Sequence, residues 1–357
     1  MSYLEMAIPN RSQHQWRYTP WEKIHPSSVD LIPVLASAKL ELNGVEKEVD
    51  SIRDADENFE ISRTFLQEAN KMSHSILLDD SKKCHIIEIS SNKEKNICHL
   101  DLTVESSTAL QIVLKGDCDW LGLHITGNIK ANTKLILGIL NKLNQDCKLL
   151  RCEDWNIERD GHLTYGELSL GCGYAKSDIR TTLSGNNAEL IQTVAVITEN
   201  RRHDDHHIEI LHKAGHTNSS LTVNSSCADR GHAIGTGLLM IEKNCDGTDA
   251  GQVFKNLLLS DRARAESLPE LEVLSDDVSA AHGAASSPVD QEQIHYLMSR
   301  GFSPKHAEAM IVEGFLVNSF SKIDNEEIKD FLTGSLNNHL NKDLIMISIF
   351  RKKLDKK

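Results

Sequence analysis

"ELIQTVAVITENRRHDDHHIEILHKAGHTNSSLTV", residues 189 to 223, contains three short runs of alternating or β-branched apolar residues, separated by clusters of Asn, Asp, Gly, Thr and Ser. Each run has the length and composition of a strand. The same texture starts near residue 83 with "HIIEI", "LQIVL" and "LGLHI" and continues through "GLLMI" and "ELEVL". An antiparallel sandwich or barrel and a parallel β-helix both accommodate such a series. Tight hairpins discriminate between them. Within this stretch only Asp160-Gly161 and Asp246-Gly247 supply the dipeptide that a two-residue hairpin prefers, fewer than a meander of this length needs. Many strands with few hairpins fit a coil of strands turning corners, so the pattern favours a mainly β chain built as a parallel β-helix. No fixed repeat period is legible.

The flanks read differently. In "ADENFEISRTFLQEANKM", residues 55 to 72, Ile61, Phe65, Leu66, Ala69 and Met72 recur at helical spacing. After residue 286, Asp290 is placed to cap a helix with Gln293 at the capping-box position, Ile294, Leu297 and Met298 form its apolar stripe, and Gly301 stops it. Ser303 and Pro304 open a second helix carrying Ala307, Met310, Ile311 and Phe315. Ile328, Phe331 and Leu332 mark a third helix ending near Gly334, and "LNKDLIMISIFRKKL" a fourth. The expected organisation is a mixed, partly helical region over 1–82, a β-helix core over 83–286 and a helical region over 287–357. The last region is expected to cap the final coil and block its unpaired edge.

With 39 basic and 52 acidic residues the formal net charge is −13, which opposes attraction to nucleic acid and to anionic membranes. No apolar run reaches membrane-spanning length and the first twenty residues lack the pattern of a signal peptide. A cytoplasmic protein is expected. The eight cysteines include no C-x-x-C pair, so neither a zinc knuckle nor a disulfide framework is signalled. A P-loop and a G-x-S-x-G elbow are both missing. "GCG" at 171–173 and "GTG" at 235–237 lack the third glycine of a dinucleotide fingerprint and read as turn glycines.

Two constellations remain. In "RRHDDHHIEILHKAGH", His203, His206, His207, His212 and His216 lie near Asp204 and Asp205, a donor set that suits a transition metal. Strand alternation nevertheless sends His206 and His207 to opposite faces. The second is "SDDVSAAHGAASSPVD", residues 275 to 290, where His282 sits among Ala280, Ala281, Gly283, Ala284 and Ala285, a few residues after Asp276 and Asp277. Small neighbours let another backbone approach while the imidazole stays the one strong ligand. The bland alternative is a flexible linker between strand and helix. Three function classes follow: a scaffold that shares a ligand with a partner, a β-helix carbohydrate-active enzyme using Asp276 or Asp277 with His282 as acid and base, and a stand-alone metal-binding protein using the histidines of 203–216. Cys227 and Cys245 are the nearest thiols, and single strand cysteines are usually buried filler.

An ordered set of motifs then meets a known family. "WRYTP" (16–20), "HDDHHIEILHKAGHT" (203–217), "GTDAGQVFKNLLLSDRARAESLPELEVLSDDVSAAHGA" (247–284) and "DQEQIHYLMSRGF" (290–302) resemble the SufB/SufD scaffold proteins of iron–sulfur cluster assembly, SufD above all. The resemblance implies a right-handed parallel β-helix with helical regions at both ends, and no catalysis of its own. It implies a heterodimer with SufB, carrying the ABC ATPase SufC on the C-terminal helices, whose ATP-driven association opens the cluster-building site. His282 is then the ligand of iron or of a nascent Fe–S cluster shared with a cysteine and acidic side chains of the partner, with none held tightly by the isolated chain. One departure stands out: many SufD proteins carry cysteine two residues before this histidine, where this chain has Ala280.

Overall fold

The computed structural model describes residues 2–53, 60–80 and 84–341; most of the fourth helix expected from the sequence, with the basic C-terminal stretch, lies outside them. The chain is a parallel β-solenoid of about eight turns with helices near both termini. Every turn contributes one strand to each of two sheets. Met72–Leu78, Lys95–Val104, Trp120–Ile129, Lys148–Ile157, Tyr174–Leu183, His203–His212, His232–Ile241 and Arg264–Val273 stack in the first. Cys84–Ser91, Thr108–Gly116, Lys134–Asn141, His162–Ser169, Glu189–Thr198, Asn218–Cys227, Thr248–Leu258 and Val278–Pro288 stack in the second.

The missing repeat period has a structural cause. Trp120 pairs with Lys148, then Tyr174, His203, His232 and Arg264 follow in the same file, so the number of residues per coil drifts as corners lengthen and shorten. Asp160-Gly161 and Asp246-Gly247 turn such corners and join no hairpin; Asp160 (φ 55°) and Gly247 (φ 73°) take the left-handed backbone the corner requires. A true hairpin occurs earlier, at Asn43-Gly44 (φ 52° and 79°), between the antiparallel strands Lys39–Leu42 and Val45–Glu46, a signal the reading of the central stretch passed over.

"GCG" is a corner, as expected: a Cβ on Gly171 would lie 2.3 Å from the Leu143 amide nitrogen. "GTG" is not. Gly235 and Gly237 lie inside the strand His232–Ile241, where their missing side chains make room for the Phe254 ring.

Inside the solenoid, Ile, Leu and Val from both sheets form one core from Ala38 to Phe254, which alternating strand positions supply. The N-terminal region covers the outer face of the first sheet. Trp16, Trp21, Phe65 and Leu66 pack there on Trp120, Leu150 and Cys152. The helix Ile61–Ala69 anchors that layer with Arg63, fully buried, whose Nη1 donates to Asp178 (2.7 Å) and Nε to Asp154 (2.9 Å).

The C-terminal helices follow their caps. Asp290 accepts from the Glu292 amide to start Gln291–Ser299, Gly301 (φ 97°) ends it, and Ser303 accepts from the His306 amide to start Pro304–Val317. The third helix, Glu326–Leu340, runs through Gly334 instead of stopping there. All three fold back along the outer face of the second sheet, where Phe320, Ile323, Ile328 and Leu332 pack on Leu140, Leu168, Ala195 and Ile197. The two ends of the solenoid are therefore treated differently. Lys39–Leu42 pairs antiparallel with Cys84–Ser91 and blocks the first coil. Among the described residues no strand pairs beyond Arg264–Val273 and Val278–Pro288. The helices do not cap that edge, because their apolar stripes find a larger partner on the sheet face.

Candidate functional site at the open end of the solenoid

Residues 278–288, which composition alone offers as a linker, form the last strand of the second sheet. Its register on Thr248–Leu258 sets His282 beside Gln252 and Gly283 beside Val253. Gln252 is 1% exposed, and its Nε2 donates to the Glu270 carbonyl of the opposite sheet at 2.7 Å, so it occupies the inner face of the solenoid. In a parallel ladder, paired residues share a face, which puts His282 on the inner side too. No described coil follows it, and His282 is exposed. Its companions on that side, Val278, Ala280, Ala284 and Ser286, are small, and a Cβ on Gly283 would meet nothing within 4 Å. The open end is thus a floor of small side chains, with the Ser286 hydroxyl accepting from the Asn256 side-chain amide at 2.8 Å, and one projecting imidazole.

The rest of the last coil is only partly covered. Val273 and Leu274 are each more than a third exposed, while Leu271, Val278 and Ala280 pack on a small buried group of Leu239, Ile241, Cys245 and Ala250. Asp276 and Asp277 are exposed at the corner entering the strand, and the Asp277 carbonyl accepts from the Gly247 amide at 2.7 Å.

The other donors named from the sequence are dispersed. His206 reaches Glu167 in the interior (3.1 Å), while His207 bonds Thr236 (2.7 Å) and Glu209 (3.2 Å) on the other face of the same strand. His203 bonds Thr19, and His212 bonds Thr217 and Ser219. Burial pushes the imidazoles of His203 and His212 down to about 4. Among the described residues no group of three or more His, Cys, Asp or Glu side chains is placed to hold a metal ion. Cys227 and Cys245 are buried, and burial raises both thiols above their ordinary value, which disfavours the thiolate a soft metal needs.

The sequence reading missed a charged network inside the core. Arg151 Nη2 donates to both Glu167 oxygens (2.6 and 2.7 Å), His206 joins the same carboxylate, and Arg202 pairs with Asp204 and donates to the Ser169 hydroxyl (2.7 Å). The available signal was a charge at inward positions of otherwise apolar strands, such as Arg151 and Glu153 in "LLRCEDW".

Against this geometry stand the comparisons with known proteins. A family model described as "SUF system FeS cluster assembly, SufBD core domain" matches residues 67–315. The chain belongs to the SufBD family. SufD of Escherichia coli, an iron–sulfur cluster assembly protein, is 25% identical over 376 aligned residues, covering 91% of this chain and 88% of that one. A SufBD family protein of Mycobacterium bovis is 36% identical over 110 residues, 30% of this chain and 28% of its own. Bacillus subtilis SufB is 28% identical over 134 residues, 38% of this chain and 29% of its own. This SufBD member is therefore a component of Suf-type iron–sulfur cluster assembly, close to SufD. The family match takes in the whole open end, His282 included. No helix among the described residues is long and apolar enough to cross a membrane.

Proposed function

We propose that this SufBD protein is the SufD-like subunit of a Suf assembly complex, and that its open end receives a SufB-like sister scaffold. The observation that carries this reading is the exposed imidazole of His282 on the inner face of an unpaired last strand. The end of the solenoid is a core cut open, with Val273 and Leu274 facing solvent, as obligate interfaces are before assembly. Docking brings the partner's backbone over the small side chains around His282, and a thiolate from that partner completes a site for iron or a nascent cluster. The cluster is cargo. One imidazole from this chain and sulfur from another hold it incompletely, which suits building a cluster and passing it on.

The same reading assigns the ABC ATPase SufC to the C-terminal helices, where Tyr296, Met298, Phe302 and Met310 leave apolar surface exposed. ATP hydrolysis falls to that partner, this chain catalyses nothing itself and holds no cluster tightly when isolated, and the complex works in the cytoplasm. Co-expression of tagged chain with SufB and SufC tests the assignment. Recovery of all three in a fixed ratio is expected, and recovery of this chain alone contradicts it.

A further inference from the structure

The corners that return the chain from the second sheet to the first carry a file of arginines. His203, His232 and Arg264 are paired across successive coils, so Arg201, Arg230 and Arg262, each two residues earlier, occupy equivalent corner positions. The Arg230 amide donates to the Asn200 carbonyl (2.9 Å) and the His232 amide to the Arg202 carbonyl (2.9 Å), which ties the corners together. With coils stacked at about 4.8 Å, the file spans roughly 10 Å. All three side chains are exposed, and among the described residues none makes an ion pair. Like charges in register repel one another, and among the described residues no ion pair made by any of the three offsets that repulsion.

In front of the column lies a cavity of about 860 Å³, bounded by these corners, by Cys172 and Gly173 of the preceding one, and by His339 of the last described helix. That volume is in the range of small-molecule sites. Its carboxylates are partly engaged: Asp229 accepts from the Asn200 amide (3.0 Å), and Glu199 lies 3.6 Å from the His339 imidazole. The floor is rigid, because buried Arg202 is bound by the Ser169 and Ile197 carbonyls (3.2 and 2.6 Å). Asp146 and Asp261 also line the cavity. They disfavour a bare anion and suit one that arrives with a divalent cation, since hydrated Mg²⁺ readily bridges phosphate and carboxylate.

We propose that this corner cavity binds a magnesium-complexed di- or triphosphate group, its oxygens taken by the guanidiniums of Arg201, Arg230 and Arg262. Forked guanidinium donors match phosphate geometry, and a file of this length matches a phosphate chain better than a single phosphate. Among the described residues no Phe, Tyr or Trp lines the cavity, so the phosphate chain carries the recognition. The site lies on the solenoid's side, and its last corner, with Arg262, adjoins the open end; it supplies binding and no hydrolysis.

Titration calorimetry of the full chain with magnesium tripolyphosphate, magnesium ATP, orthophosphate and an oligoglutamate peptide tests this. Saturable one-to-one binding of tripolyphosphate is expected, about tenfold or more tighter than orthophosphate and weakened by added salt. Arg230→Gln and Arg262→Gln should each weaken it by about tenfold, Arg230→Lys less, and Arg159→Gln, exposed outside this cavity, not at all. Equal affinity for ATP and tripolyphosphate assigns the site to the phosphate chain alone, whereas tighter ATP adds the nucleoside. No saturable heat at about 1 mM ligand, an unchanged affinity in Arg230→Gln with an unchanged melting curve, or preference for the acidic peptide would overturn the proposal.

Discussion

His206 and Glu167 meet inside the solenoid at 3.1 Å although 39 residues separate them along the chain. Burial works against the charged imidazole, but Glu167 and Asp204 outweigh it and hold His206 up at about 9. A raised imidazole contributes stability that is complete below its ordinary value of 6.5 and is lost as pH climbs toward 9. The unfolding free energy in urea is expected to fall by roughly 3 kcal/mol across that window. His206→Gln should flatten this alkaline limb, and an equally steep limb in the variant would remove the assignment.

On the outer face, Arg63 pairs with all three of Glu60, Asp154 and Asp178. Without it Glu60 still meets Arg180, Asp154 still meets His124 and Asp178 keeps the Gln15 side-chain amide, but the buried Asp178 carboxylate loses its cation. Arg63→Ala is expected to cost about 3–5 kcal/mol, and to loosen the N-terminal layer first. Limited proteolysis should then cut ahead of Met72 before the coils are touched. Uniform fragmentation along the chain would contradict an anchoring role.

Two glycines should respond with opposite sign. A methyl on Gly171 would collide with the Leu143 backbone, so Gly171→Ala should cost about 1–3 kcal/mol. Gly334 lies within Glu326–Leu340, and a Cβ there meets nothing within 4 Å. Gly334→Ala should stabilise by about 0.5–1 kcal/mol by reducing the freedom of the unfolded chain. Denaturation midpoints of the two variants check both signs.

What the sequence disclosed follows the range of the interactions involved. Strand runs such as "HIEIL" and caps such as Asp290 and Ser303 are local, and both were legible. The coil period was hidden because corners of different length, from Gly171–Gly173 to Lys142–Cys147, absorb the drift between Trp120, Lys148 and Tyr174. Gly334 looked like a stop because it follows a short apolar stripe, yet tertiary packing of Ile328, Leu332 and Leu336 carries the helix past it. The backward fold of the helices onto the second sheet is a long-range choice between two apolar surfaces, and no local pattern records it. At the open end, small residues around His282 were visible as composition, but only pairing with Gln252 reveals that the imidazole lies on the inner side of an unpaired strand.

The proposed role of His282 requires that its imidazole ligate cargo once a sister scaffold is docked. The direct measurement is iron and acid-labile sulfide in anaerobically reconstituted complexes of this chain with SufB and SufC, comparing wild type with His282→Ala at equal subunit ratio. The variant should assemble normally, because His282 is exposed and its neighbours are small, and it should lose most of the iron and sulfide. A fully assembled His282→Ala complex with undiminished cluster would contradict the claim.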